Sequence, residues 1–454
     1  MTTDVNHVQK ITQYDVLGRI SGVCEISSNS LGSSSPSLCV SATTPGATAP
    51  MEIAGTGYST TYAYTLGDPT ITTITQGTQI RTVQKDPAGR TTYVVEPERG
   101  ITNYSYAYNS TGLVVTRTRP TANQTSTTAF TTTTTQYDSL GRVVSVNYSD
   151  GTSGKIFNYD KSAGQTLSQT NLAGQLSIAL TTSTTGSFSY DSMGNVLAMQ
   201  SCEPSICGNA SRPNRTFSYD GVGNLTSESD GVSGNIVYGR SPAGEVTSVT
   251  NQNYQDAQNP PNLVSNVTNG PNGPLGYVLG NGLYSTITYD SMGRLNGQWI
   301  CSGSISGVGQ PYCTNTQIYG YDLGRQGTRT NWSCDSVINQ CLTYGYDEFN
   351  RLASQSGSPS FSYGYDRWGN RLSQTVTQGS GPSPQLPANP ANNQITYPGY
   401  AYDAAGNLTS DGVHNYTYDA EGNMLTVDGG STAQYVYDAF NRRVRQQTSS
   451  GTFE

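Results

Sequence analysis

The sequence predicts an all-β chain built from repeated β-hairpins. Three observations predict it. A short phrase, Tyr-Asp-x-x-Gly followed by Asn or Arg and an aliphatic residue, recurs along the 454 residues. The residues ahead of each phrase alternate with period two. Tyr outnumbers Phe by 32 to 8, while charged residues make up only 12%. Repetition at roughly 20–50 residues marks a repeat architecture, which grows by stacking units rather than by adding separate cores.

The strict copies are Tyr14, Asp15 and Gly18; Tyr137, Asp138 and Gly141; Tyr190, Asp191 and Gly194; Tyr219, Asp220 and Gly223; Tyr289, Asp290 and Gly293; Tyr346, Asp347 and Asn350; Tyr365, Asp366 and Gly369; Tyr402, Asp403 and Gly406; Tyr418, Asp419 and Gly422; and Tyr437, Asp438 and Asn441. Ahead of the phrase, pairs such as Phe217 and Tyr219 or Tyr416 and Tyr418 stand two apart, so both rings share one face of a strand. The Asp opens a turn, where its carboxylate accepts a backbone N–H two residues on. Gly stands at i+3, where a type I turn closing a hairpin with a G1 bulge needs positive φ. Asn350 and Asn441 are the next best residue for that conformation. A second strand follows, as in Leu225-Thr226-Ser227-Glu228. These aspartates read as equivalent turn formers rather than catalytic acids, which need one special environment and a partner.

Worn copies follow the same chemistry. Asp86-Pro87-Ala88-Gly89 and Ser241-Pro242-Ala243-Gly244 place Pro at i+1, which suits its fixed φ. Tyr108-Asn109-Ser110-Thr111-Gly112 uses Asn for the side-chain turn. The stretch from Asp160 to Gly164 is one residue long and that from Asp322 to Gly324 one short, so altered turns are expected there.

Residues 1–454 read as a single repeat region, with no composition shift that forces a boundary. Residues 1–136 hold degenerate repeats with a Ser/Thr-rich surface loop at 28–50, and 137–250 hold repeats. The Thr-rich run 121–135 suits one long strand. Residues 251–274, rich in Asn, Gln and Pro, read as an irregular insertion. Repeats return over 275–378, break at a Pro-rich loop, 379–396, and finish as a tight series over 397–454.

Net charge is −8 and no cluster of Lys and Arg appears, so a nucleic-acid partner is not expected. No run of about 18 apolar residues exists, so no membrane span is expected. Met1 to Lys10 lacks the apolar core of a signal peptide, which points to another export route or to a piece of a longer precursor. So polar a composition would also fit disorder, but the regular aromatic strands argue for order.

The eight cysteines fall into four local pairs, Cys24 with Cys39, Cys202 with Cys207, Cys301 with Cys313, and Cys334 with Cys341. Each pair follows a phrase at a nearly fixed offset, where the second strand runs out. Four disulfides are favoured over free thiols or zinc, because there is no Cys-x-x-Cys and only His7 and His414 in the chain. Disulfides imply an oxidising, extracellular setting.

Little else carries chemistry, and no catalytic, cofactor-binding or metal residue is assigned. Ser149-Asp150-Gly151-Thr152-Ser153-Gly154-Lys155 lacks the first Gly and the Ser or Thr after Lys of a phosphate loop, and reads as a polar hairpin loop. Sequons at Asn103, Asn109, Asn123, Asn147, Asn209, Asn214, Asn266 and Asn331 offer acceptors for glycans.

The phrases carry a family resemblance. From Gly280-Asn281-Gly282-Leu283 into Tyr289 through Leu295, and again from Tyr402 through Arg443, the chain resembles the rearrangement-hotspot (RHS), or YD-repeat, proteins. These are similar to the repeat shells of bacterial polymorphic toxins, insecticidal toxin complexes and teneurins. The resemblance covers almost all of the chain and implies a continuous curling or spiral sheet that makes a hollow shell. In bacterial members the shell commonly encloses a toxic C-terminal segment, released by self-cleavage at a motif closing the repeats. The sequence ends at Gly451-Thr452-Phe453-Glu454 before such a motif, so no self-cleavage residues are carried over.

The expected function is structural and non-catalytic: a secreted or surface-exposed wall of an RHS β-shell that encapsulates or delivers a toxin. Its partners would be its own flanking segments or that cargo. The alternative is a self-assembling extracellular filament or adhesive scaffold, with copies joined head to tail at open sheet edges. A carbohydrate-active enzyme would have Tyr-rich surfaces for sugars, but no convergent carboxylate pair is found.

Overall fold

A computed structural model describes residues 2–3, 9–26, 57–65, 67, 70–162, 167–202, 214–231, 234–252, 260–301, 315–321, 330–335, 338–347 and 349–453. Nearly every element is a strand, most of them five to nine residues long. Thr, Tyr and Val fill them, residues whose side chains pack well on a pleated surface.

Contacts group the chain into two units, a division that no composition shift marks. One comprises 1–156, 346–353 and 361–454; the other comprises 157–345 and 354–360. In the first unit, strands from Gln9–Tyr14 to Val143–Tyr148 pair antiparallel, each with its sequence neighbour. Its C-terminal part adds the pair Tyr400–Tyr402 with Leu408–Asp411, then five strands from Tyr416–Tyr418 to Gly451–Phe453. The second unit repeats the pattern from Leu176–Leu180 to Gln340–Tyr346.

The core is sparse in large apolar groups. Ile178 and Ala179 are buried, but so are Ser177, Ser187, Ser285 and Thr131. Buried hydroxyls need partners. Ser177 Oγ donates to the Asn158 carbonyl at 3.0 Å, and Thr131 Oγ1 to Thr121 Oγ1 at 3.0 Å. Backbone ladders and such hydroxyl bonds, more than a dry interior, hold the hairpins together.

Residues 379–396 carry no strand; isolated bridges Ser373↔Gln385 and Ala388↔Ile395 order them. Backbone outside a ladder still needs hydrogen-bond partners, and this stretch finds them on the N-terminal strands. Thr78 Oγ1 and Gln79 Nε2 donate to the Pro390 carbonyl at 2.7 and 3.2 Å. Gln79, wholly buried, also donates to Asn393 Oδ1 at 2.8 Å. Asn393 Nδ2 in turn donates to Glu98 Oε1 at 2.6 Å.

Two expectations are corrected. The stretch 251–274 is not irregular throughout, because Asn262–Gly270 pairs with Gly273–Leu279 as a hairpin. Val264, Val267 and Val278 supply the β-branched residues that its Asn content obscures. The Thr-rich run is not one strand either: its strand begins at Phe130. Before it, Thr121 N donates to the Ala129 carbonyl at 3.0 Å, and Gln124 Nε2 donates to the carbonyls of Thr121 and Ser126, closing 121–129 into a loop. The 28–50 loop and the short copy at Asp322 to Gly324 lie outside the described residues.

Candidate functional site

The repeated turn is the feature with defined chemistry. In the first copy, Asp15 N donates to the Arg19 carbonyl at 2.8 Å and Gly18 N to the Asp15 carbonyl at 3.0 Å. Asp15 Oδ1 accepts the amides of Leu17 and Arg19, both at 2.9 Å. The left-handed position is real, with φ of +83° at Gly422 and +62° at Asn441. One residue earlier than the phrase, the ladder slips again: Tyr14 faces Ile20, whereas Gln13 faces Gly22. The same slip recurs before Tyr137, Tyr190, Tyr219, Tyr289, Tyr402, Tyr418 and Tyr437.

Sequence reasoning assigned no role to the sixth position of the phrase, yet the turn closes there. Arg19 Nε donates to Asp15 Oδ2 at 2.7 Å. In copies with Asn the amide substitutes, as where Asn195 Nδ2 donates to Asp191 Oδ2 at 2.8 Å. All ten strict copies hold Oδ2 in one of these two ways. The restriction of that position to Arg or Asn was the available signal. The Arg19 side chain, then its amide, holds the Asp15 carboxyl below the usual carboxylate range. The Asn195 and Asn224 side chains lead the same effect on Asp191 and Asp220.

The worn copies depart in instructive ways. Gly164 lies outside the described residues, and at Asp160 the bonds run further along the chain: Gly174 N donates to Asp160 Oδ1 at 2.7 Å and Asp160 N to the Gln175 carbonyl at 3.1 Å. Asn109 Oδ1 accepts the amides of Thr111 and Gly112 at 2.9 and 3.1 Å, but the ladder stays in step there. The stretch Ser149 to Lys155 is a turn in which Thr152 N donates to Asp150 Oδ1 at 3.0 Å.

A tyrosine ladder joins successive hairpins. Tyr219 Oη donates to the Val196 carbonyl at 3.0 Å, Tyr365 Oη to Leu352 at 2.8 Å and Tyr418 Oη to Leu408 at 2.6 Å. Each acceptor is the aliphatic residue that ends the preceding phrase. Where Arg240 replaces the tyrosine, its Nε and Nη2 donate to the equivalent carbonyl, Leu225, at 3.0 and 2.8 Å. The phrase arginine of one unit lies against the ring of the next, Arg351 being 5.1 Å from the Tyr365 centroid. Burial pushes the phenols of Tyr190, Tyr365 and Tyr418 up.

Cys334 and Cys341 face one another across neighbouring strands, with Cα atoms 4.0 Å apart, and are joined by a disulfide. Cys24 is fully buried and disulfide-bonded. Cys39, Cys207, Cys313 and the side chains of Cys202 and Cys301 lie outside the described residues. Among the described residues, no group of three or more His, Cys, Asp or Glu gathers as a metal site, and no helix is long and apolar enough to cross a membrane.

Residues 317–453 match the family described as Teneurin YD-shell. The tRNA nuclease WapA of Bacillus subtilis is 32% identical over 115 residues, which is 23% of this chain and 5% of WapA. The tRNA3(Ser)-specific nuclease WapA of Bacillus spizizenii is 33% identical over the same length, again 5% of that protein. Among solved structures, the Photorhabdus luminescens Tc holotoxin pore superimposes with a TM-score of 0.67 at 16% identity, over 97% of this chain and 23% of that one. TcdB2-TccC3 without its hypervariable C-terminal region gives 0.66 at 14% identity, over 98% of this chain and 24% of that one. The chain therefore spans about a quarter of those structures and a twentieth of the WapA proteins. Phrase, turn geometry and these likenesses agree: residues 317–453 are similar to the YD-shell family, and the chain has the all-β fold of the RHS shell structures.

Proposed function

We propose that the chain is a stretch of wall in an RHS β-shell that encloses or delivers a toxic polypeptide outside the producing cell, with no catalytic role of its own. The observation that carries this reading is the state of the aspartates. Each strict-copy Asp spends both carboxylate oxygens on its own turn, which leaves the recurrent acids as scaffold rather than as acids or bases. The Cys334–Cys341 disulfide supports an extracellular setting. The Tc structures supply the analogy for an enclosed toxin. The tRNA-nuclease activity in the names of the WapA relatives is not assigned to this stretch, which matches 5% of those proteins.

Electron microscopy of the purified native protein, combined with limited proteolysis, tests the proposal. Closed hollow particles that protect a polypeptide from protease until they are opened would support it. Filaments with an axial repeat near one chain length would overturn it in favour of a self-assembling scaffold.

A further inference from the structure

Within the first unit, three C-terminal turns return to strands and loops about 300 positions earlier in sequence. Ala404 N donates to the Gln124 carbonyl at 2.8 Å, and Asn123 N to Asp403 Oδ2 at 2.7 Å. Asn123 also exchanges two bonds with Tyr418, its Nδ2 donating to the Tyr418 carbonyl and Tyr418 N donating to its Oδ1, both at 2.7 Å. Ala420 N donates to Thr152 Oγ1 at 2.9 Å, and the Ala420 carbonyl accepts Arg119 Nη2. Arg117 Nη2 reaches both oxygens of Glu421 at 3.1 Å, and Lys155 Nζ donates to Asn441 Oδ1 at 2.7 Å.

These three turns share one feature of sequence. Ala occupies the third phrase position only in the last three of these copies, at Ala404, Ala420 and Ala439. Ala420 and Ala439 are 2% and 5% exposed, whereas Val16 at the same position is fully exposed. A methyl group lets the backbone at Ala404 and Ala420 come close enough to bond Gln124 and Thr152. The fourth position is apolar in nine of the ten strict copies, and at Leu17, Leu140, Met193, Val222, Met292 and Phe440 it is exposed. Glu421 is the exception, and it sits opposite two arginines, its side chain 19% exposed and that of Arg117 23% exposed. Burial, with Arg117 nearby, pushes the Arg119 guanidinium down, and burial pushes Lys155 down, so a counter-charge matters at this face.

We infer that the face carrying Arg117, Arg119, Asn123 and Thr152 is a receptor for one partner, an alanine–glutamate hairpin turn from the chain's own C-terminal series, and that Glu421 selects it. Near-identical hairpins invite slippage by a whole repeat, because each shifted arrangement would satisfy the same ladder bonds. A shifted turn would set Phe440 or Ala405 against Arg117 and Arg119 and leave their charges without a carboxylate in a half-buried site. That penalty rejects the wrong register, as a single charged or polar residue does in other repetitive assemblies.

Site-resolved amide exchange on the full chain tests this. The amides of Ala404 and Ala420 report docking, and the amide of Gly422, which donates to the Asp419 carbonyl at 3.0 Å, reports the hairpin itself. The double variant Ala420→Ser/Glu421→Leu installs the pair that stands at Ser139-Leu140 in a strict copy. It is expected to speed exchange at Ala404 and residue 420 by about tenfold or more, the loss of a charge-assisted bond, and to leave Gly422 unchanged. Glu421→Gln, which keeps shape and removes charge, is expected to do the same more weakly. Unchanged exchange at Ala404 in both variants, or equal acceleration at Gly422, would overturn the inference.

Discussion

Tyr365 Oη donates to the Leu352 carbonyl at 2.8 Å, tying the tyrosine of one phrase to the residue that ends the phrase before it. Arg351, fixed by its 2.6 Å bond to Asp347 Oδ2, lies against the same ring. One unit's turn therefore places the group on which the next unit rests. Tyr365→Phe keeps the ring and the arginine contact and removes only the hydroxyl. It should lower stability by about 1 kcal/mol, the net worth of one hydrogen bond. A denaturant titration that finds no change in midpoint would show that the ladder bond contributes nothing.

Gly422 separates conformation from contact. Its φ is +83°, and a Cβ there would meet only Asn407 Oδ1, at 3.4 Å. Gly422→Val should destabilise by about 1–2 kcal/mol, because a β-branched residue resists the left-handed region. Gly422→Asn should cost less, since Asn350 and Asn441 hold φ of +67° and +62° in other copies. Thermal melts of both variants decide it, and equal melting temperatures for Val and Gly would refute the turn account.

The hairpins were legible because the phrase concentrates its information in consecutive residues: an alternating aromatic pair, an Asp and a residue that tolerates positive φ. The sixth position was visible as Arg or Asn, but its role depends on Asp Oδ2, which Arg19 and Asn195 reach by different atoms. The return of Ala404 and Ala420 to Gln124 and Thr152 was not legible, because periodicity describes neighbours and these partners are 280 and 268 positions apart. Its local marks were the alanines at the third position, Ala404, Ala420 and Ala439, and the unusual Glu421. The 251–274 hairpin was missed for the opposite reason: its Asn content outweighed a real valine pattern.

The cysteine pairing expected from the sequence can be tested at the other three pairs. Cys334 and Cys341 are already joined directly across two strands. If the local pairs are general, peptide mapping without reductant should recover Cys24–Cys39, Cys202–Cys207 and Cys301–Cys313 as well. Each link should stabilise by about 2–4 kcal/mol, so reduction should lower the melting temperature. Recovery of free thiols at these positions would remove the argument for an oxidising compartment.

The junction between the hairpins Tyr400–Asp411 and Tyr416–Val427 should draw acid-dependent stability from two carboxylates. Asp411 Oδ2 accepts the Tyr416 hydroxyl at 2.6 Å, and Oδ1 the amides of His414 and Val413 at 2.7 and 2.9 Å. These bonds, the tyrosine's first, hold the Asp411 carboxyl down to about 2 from an ordinary 3.8. Asp428 is likewise held to about 2, by the Thr432 hydroxyl first, then the Asn415 amide and His414. Both folded values lie below the unfolded one, so the native state binds fewer protons. The stabilisation is fully present above 3.8 and is lost as pH falls toward about 2. Carboxylate chemical shifts followed by NMR should therefore titrate far below the ordinary range at these two residues. Tyr416→Phe should move the Asp411 midpoint back toward 3.8 while leaving Asp428 in place. In the native protein the same bond pushes the Tyr416 phenol up to about 12, so its ultraviolet titration should be late. A native Asp411 midpoint near 3.8 would mean that the Tyr416 bond is absent in solution, and its acid-dependent stabilisation would go with it.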